Sequence, residues 1–202
     1  MTPKTVNLVG EVAILQGATF RFPFYWYGDT EVVKTITALT RGYPSVFAAA
    51  GHGLPASAVP ALIVNVGSWI DTGLDQERAI YVTKMDDDTF RVAKNSAEED
   101  AYTGTAGRLI YKEPVNLASG WSARMDVRES VDSETVIQSF STADDTIVLG
   151  SDGLIELVLG PTDTDALTFS SGVYDLELED EDGAVFRVAK GKVSLSPQVT
   201  RS

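Results

Sequence analysis

A chain with one histidine, no cysteine and 29 carboxylates has few routes to catalysis, and those few sit at readable places. His52 lies in the run Gly51-His52-Gly53-Leu54. As the single histidine it cannot belong to a zinc site built from several histidines, nor can cysteines complete one. Serines and aspartates abound for a Ser-His-Asp arrangement, but no nucleophile elbow accompanies them. His52 is therefore read as a residue that packs and hydrogen-bonds at a turn. Asp86-Asp87-Asp88 lacks the alternate spacing and distal glutamate of a helix-loop-helix calcium site, and Glu179 to Gly183 reads as a hairpin. Both are taken as solvated turns, with a bound cation as the sharper alternative. Asp175, Glu177 and Glu179 project from one face of an extended segment. Residues two apart on a strand lie about 6.6 to 7 Å apart, which suits the carboxylate pair of an inverting glycosidase. Such a pair also needs one raised pKa and an aromatic-lined cleft, whereas three adjacent acids describe a hydrophilic sheet face. No catalytic, cofactor-binding or metal-ligating set is assembled, and no enzyme is expected.

Aromatic side chains are the better candidates, and for contact instead of chemistry. Thr19 to Tyr27 alternates strictly, with Phe20, Phe22, Phe24 and Trp26 on one face and Tyr25 and Tyr27 on the other. Four large rings on one face demand a core, which leaves Tyr25 and Tyr27 available to a partner. Trp69, in Gly67-Ser68-Trp69-Ile70-Asp71, serves equally as a loop anchor or an interface residue, and Tyr102 completes the candidate interface set. Pro23 removes a backbone donor and marks an edge strand or a bulge.

These residues must be positioned by strands. Trp121, Ala123, Met125 and Val127 alternate with polar residues, as do Tyr174, Leu176 and Leu178 with carboxylates. Leu154 to Leu159, Val185 to Lys190 and Val193 to Leu195 continue the series, separated by Asp-Gly turns that tolerate positive φ. Regular short strands with one apolar face indicate an antiparallel sandwich or barrel. Between about Glu31 and Lys112 the texture changes to six short strands with acidic turns, enough for a small barrel. Phe90-Arg91-Val92-Ala93-Lys94 recurs as Phe186-Arg187-Val188-Ala189-Lys190, each after an acidic turn. The flanks do not repeat, so these are read as two similar hairpin strands and not duplicated domains.

At 202 residues and 44% hydrophobic content the chain can bury its own core without disulfides. A formal net charge of -13 repels a nucleic-acid backbone. Neither a signal-peptide pattern at Met1 to Asn7 nor an apolar run of membrane-helix length is seen, so a protein made in the cytoplasm, without membrane or nucleic acid as partner, is expected.

Several segments together carry a family resemblance. They are Leu15 to Phe20, Pro114-Val115-Asn116-Leu117, Gly120 to Met125 with Val127-Arg128, and Asp152 to Ile155. Gly172 to Leu176, Asp182-Gly183, Gly191 to Val193, Ser196-Pro197 and Val199 to Arg201 extend the series. In order, they resemble small tailed-phage structural proteins related to the N-terminal domain of baseplate upper proteins. Members usually pass directly from the aromatic strand to the Pro-Val-Asn-Leu-like segment; here about eighty residues intervene. That insert resembles the small β domain named after the first catalytic cysteine half-domain of ubiquitin-activating enzymes (FCCH-like), through Ile36-Thr37, Gly51 to Leu54, Ile63, Tyr81 to Thr83, Asp88 to Phe90 and Tyr102. It departs from that pattern at Pro60-Ala61, where a Gly-Asp turn is common, and without cysteine it implies no thioester chemistry.

The expectation is an all-β chain: an immunoglobulin-like antiparallel β-sandwich of residues 1–32 and 114–202, interrupted by a small β-barrel-like domain of residues 33–113. The resemblance implies a phage virion component without fixing its place in the particle; the first reading is a non-enzymatic scaffold of the tail, baseplate or neck, or a fibre adaptor. Its partners would be other virion proteins in multiple copies within a symmetric assembly. Alternatives are a host-surface glycan-binding module and a capsid decoration protein, with an enzyme behind both.

Overall fold

The computed structural model describes residues 8–199. The outer ends of the expected sandwich at 1 and 202, and the resembling residues Thr200 and Arg201, lie outside the described residues. The protein is all-β. In chain order the strands are β1 (Leu8–Leu15), β2 (Phe20–Tyr25), β3 (Tyr27–Thr35), β4 (Ala38–Thr40) and β5 (Ser45–Ala48). Next come β6 (Val59–Val64), β7 (Ile80–Lys84), β8 (Thr89–Val92), β9 (Arg108–Pro114) and β10 (Trp121–Arg128). The last are β11 (Val136–Ser141), β12 (Ile147–Leu149), β13 (Leu154–Leu159), β14 (Ser171–Asp180) and β15 (Val185–Ser196). A short α-helix, α1 (Pro161–Asp165), begins with a proline at a position where the missing N–H costs nothing.

Two compact units divide the chain, residues 27–114 and the remainder. In the remainder, a five-stranded sheet of order β1-β15-β14-β10-β11 and a three-stranded sheet of order β12-β13-β2 share one core. Phe20, Phe24, Trp26, Met125, Tyr174 and Leu176 are all buried in it. The alternation in the sequence is the cause, since each strand turns every second side chain inward. Pro23 stands opposite Glu156 on β2, an edge strand, where its absent donor breaks no ladder. Pairings are antiparallel except β1 with β15, which run parallel. Gly153 and Gly183, at φ 78° and 81°, provide the left-handed turns before β13 and β15. Trp26, Trp121 and Phe186 close one part of the core, with Trp26 and Trp121 edge to face at 5.4 Å.

Residues 27–114 form a seven-stranded sheet of order β3-β9-β6-β7-β8-β5-β4, curled into a half-barrel. The curl follows from a corner at Ile36-Thr37. Ile36 donates its N–H to the Gly107 carbonyl at 2.9 Å, while the next amide, Thr37, donates to Ala48 at 2.8 Å at the other end of the sheet. Its core is built on Phe47, stacked against Phe90 at 5.2 Å, with Ile36, Ile63, Val82 and Leu109 fully buried around them.

Two expectations need correction here. The expected domain boundary between 32 and 33 falls inside β3, because Tyr27–Thr35 is one strand paired to β9, with Tyr27 opposite Pro114. The passage into the second unit lies instead between Trp26 and Tyr27, and the return between Pro114 and Val115. The second unit also holds seven strands and not six, since the run through residues 33–39 is split at the corner into β3 and β4.

Candidate interaction surface

His52 is fully buried, and both ring nitrogens are committed. The Leu54 N–H donates to Nδ1 at 3.0 Å, so Nδ1 carries no proton and Nε2 is the nitrogen that donates to the Thr89 carbonyl at 3.1 Å. Tyr111 donates its hydroxyl to the His52 carbonyl at 2.7 Å, and burial pushes the Tyr111 phenol above its ordinary value, with a smaller push from Glu113. No serine or carboxylate touches the ring through these bonds. The histidine ties the 51–54 turn to β8.

The acidic turn 86–88 is organised by its own backbone. Asp86 accepts from the amides of Asp88 at 2.9 Å and Thr89 at 2.7 Å, and Asp88 accepts from the Gly51 amide at 2.8 Å. Hydrogen bonds from Thr89 and from the Asp88 amide hold the Asp86 carboxyl below the usual aspartate range. Lys84, at 2.7 Å, does the same for Asp87. Among the described residues no three carboxylate or imidazole groups are gathered as a metal site.

Trp69 and Tyr102 are placed as anchors of the second unit. Trp69 stacks on Phe47 at 6.4 Å, and its loop is cradled by Asp71, which accepts the amides of Asn65, Val66 and Gly67. The Tyr102 hydroxyl accepts from the Gly107 amide at 2.7 Å and lies 3.4 Å from the Ile36 carbonyl, so it pins the corner. Both rings are half-buried against the core. Tyr25 is half-buried on the face of β2 opposite Phe24. Tyr27 lines a depression of about 150 Å³ with Pro60, Ala79 and Ile110, rimmed by Glu31 and Lys112.

Elsewhere, a trough of about 650 Å³ lies on the outer face of the five-stranded sheet. Registers place the side chains of this face in three cross-strand rows. Glu11, Lys192, Val173 and Arg128 make the first; Lys190, Asp175 and Asp126 the second; Arg187, Glu177 and Arg124 the third. In the third row Glu177 lies between two guanidiniums, at 2.9 Å from Arg124 and 4.0 Å from Arg187. The hydrogen bond to Glu177 raises the Arg124 pKa further. Asp126 and Asp175 face each other directly, a like-charge contact that would destabilise the sheet without Arg128 at 3.1 Å and Arg187 at 3.5 Å. Asp175 and Glu177, the carboxylates spaced like a hydrolytic pair, are thus both held in ion pairs. Lys190 and Lys192 are exposed, with no ion pair among the described residues.

The trough is lined by both signs of charge, Arg124, Arg128, Lys190 and Lys192 beside Glu11, Asp126, Asp175 and Glu177. Arg124, Arg128, Arg187, Lys190 and Lys192 stand on this face, and Arg21 is the only other basic residue among the described ones of that unit. Sequence reading placed the outward acids of β14 on a sheet face but missed these cations. The signal was present in the same alternation, since Arg124 and Arg128 fall on the polar face of β10; the neighbour of each strand is what the sequence hides. No protein-family model matches the chain, and no curated protein matches it.

Proposed function

We propose that this chain is a non-enzymatic structural component of a tailed-phage virion, in the tail, baseplate or neck or as a fibre adaptor, acting through protein–protein contacts. The observation that carries the reading is the position of the second unit. It leaves after Trp26 and returns at Val115, where the resemblance to the baseplate-related family is interrupted between the aromatic strand and the Pro-Val-Asn-Leu segment. The Val115 amide donates to the Trp26 carbonyl at 3.0 Å, so the host chain meets itself at the insertion point. A guest whose ends are adjacent is tolerated there because the host strands remain paired. Of the polar groups first considered for chemistry, His52, Asp86, Asp88, Asp175 and Glu177 serve as hydrogen-bonding ties or ion pairs within sheets and turns.

The test is to locate the chain in an electron cryomicroscopy map of the particle encoded by the same genome. Density for the sandwich in the tail, baseplate or neck, in symmetry-related copies, is the expected result. Density only on the capsid surface would make it a decoration protein, and retention on host cells lost with Trp69→Ala would make it a receptor-binding module.

A further inference from the structure

We propose that β1 is a self-pairing edge, joined antiparallel to β1 of a second copy across a two-fold axis at Val12. β1 ends the five-stranded sheet, and its 8 residues match β15 without a register shift. The Gln16 amide donates to the Ser196 carbonyl at 3.0 Å. In a parallel ladder every second residue directs both its N–H and its C=O to the neighbouring strand. Val12 and Ile14 therefore direct theirs to β15, while Glu11 and Ala13 direct theirs to the open side. Both of these residues are exposed, and no partner for those backbone groups is found among the described residues. The other sheet edges carry the devices that blunt an edge. β2 holds Pro23, β4 and β12 have 3 residues each, and the pairings of β3 and β11 are each broken by a register shift. β1 has none of these.

Such an edge accepts an extended segment whose own backbone groups turn outward at every second residue, and β1 is that segment. A two-fold at Val12 sets Glu11 opposite Ala13 of the other copy and Ala13 opposite its Glu11, so each facing pair exchanges both backbone hydrogen bonds. Moving the axis to Glu11 would set the two carboxylates face to face, a repulsive pair. Charge favours a second copy as well. β1 and the residues of β15 paired with it hold Lys190 and Lys192 against Glu11 alone, and Lys192 stands directly beside Glu11. In a chain of net charge -13, two copies therefore meet here through a stretch that is not acidic. The contact is isologous and closes as a dimer, with one sheet running through both copies.

This inference deepens the scaffold reading, resting on it for the presence of repeated copies. The full chain is compared with Ala13→Glu and with Ala13→Glu plus Glu11→Lys by analytical ultracentrifugation over a concentration series. Both positions are exposed, and circular dichroism verifies each fold. The parent is expected to form a reversible dimer in which the Glu11 and Ala13 amides exchange slowly, and to lose that protection on dilution to the monomer. Ala13→Glu sets carboxylates opposite each other at both facing pairs and should weaken association about tenfold. Adding Glu11→Lys restores opposite charges across the axis and should recover it, a rescue that depends on this register. A parent that stays monomeric overturns the proposal, as does a dimer that leaves those two amides unprotected or a double variant no better than Ala13→Glu. Protection of the two amides in a monomeric parent only when another virion protein is added would overturn the second copy as the occupant. A chain found in the particle without β1 paired to β1 overturns this inference and leaves the scaffold reading standing; one that dimerises through β1 but is absent from the particle does the reverse.

Discussion

The same five residues occur once in each unit, and the two copies behave differently. Phe90-Arg91-Val92-Ala93-Lys94 forms β8 and ends it: Phe90 and Val92 are buried, Ala93 is exposed, and the Lys94 amine donates to the Trp69 carbonyl at 2.9 Å. Phe186-Arg187-Val188-Ala189-Lys190 sits inside β15, where a register shift opposite Leu176 and Glu177 inserts a bulge. There Val188 and Ala189 are both buried, Phe186 is half-buried, and Lys190 is turned onto the trough. An extra residue in one strand re-aims those that follow it. The lesson is that neighbouring strands, and not the pentapeptide, decide which side chains become core and which become surface.

That difference can be broken by truncation. Phe90→Ala removes a fully buried ring stacked on Phe47 and should cost about 3 to 5 kcal/mol. Phe186→Ala, on the half-buried copy, should cost clearly less. Amide exchange resolved by unit is the proper readout, because a two-unit chain has no single unfolding free energy. Equal losses would erase the contrast.

A second pair compares glycines. A Cβ at Gly172 would lie 2.8 Å from the Arg128 carbonyl oxygen and 2.7 Å from Val127, whereas one at Gly107 would meet the Tyr102 hydroxyl at 2.5 Å. Backbone yields less readily than a ring end, so Gly172→Ala should cost about 1 to 3 kcal/mol and Gly107→Ala less, again by amide exchange resolved by unit. Tyr102→Phe, which strips the acceptor from the Gly107 amide, should cost about 1 kcal/mol. Arg124→Ala should change stability by under about 1 kcal/mol, since exposed ion pairs contribute little.

The smallest effect concerns pH. Asp86 titrates lower in the folded chain than an ordinary aspartate, so its contribution is present above the ordinary carboxylate pKa and is lost as pH falls through the lowered folded value. Nuclear magnetic resonance titration should find protection of the Asp88 and Thr89 amides intact near neutrality and declining only in that acidic window. Loss of protection already above the ordinary carboxylate range would contradict the assignment.

Much of the sandwich was legible because period-two alternation is a local signal. Phe20, Phe24 and Trp26, Met125 and Val127, and Tyr174 and Leu176 all fell inward as their spacing required. Strand β11 was missed, since only Phe140 of Val136–Ser141 is buried and the run offers no apolar face. The boundary at Trp26 was misplaced because Tyr27–Thr35 is irregular, with a register shift between Tyr27 and Glu31. The parallel pairing of β1 with β15 joins opposite ends of the chain and leaves no mark on either segment. The trough was hidden for the same reason, since its rows exist only once registers across four strands are known. Trp69 and Tyr102 stood out as loop aromatics, but sequence alone does not tell a ring stacked on Phe47 from one offered to a partner.

The claim beneath these comparisons is that the sandwich closes from the two ends of the chain and owes nothing to residues 27–114. Replacing that segment by a short glycine-containing turn between Trp26 and Val115, and measuring amide exchange, tests it directly. Slow exchange retained across β10, β14 and β15 with one cooperative unfolding transition is the predicted result. A product that is unfolded, or that exchanges freely in those strands, would contradict it.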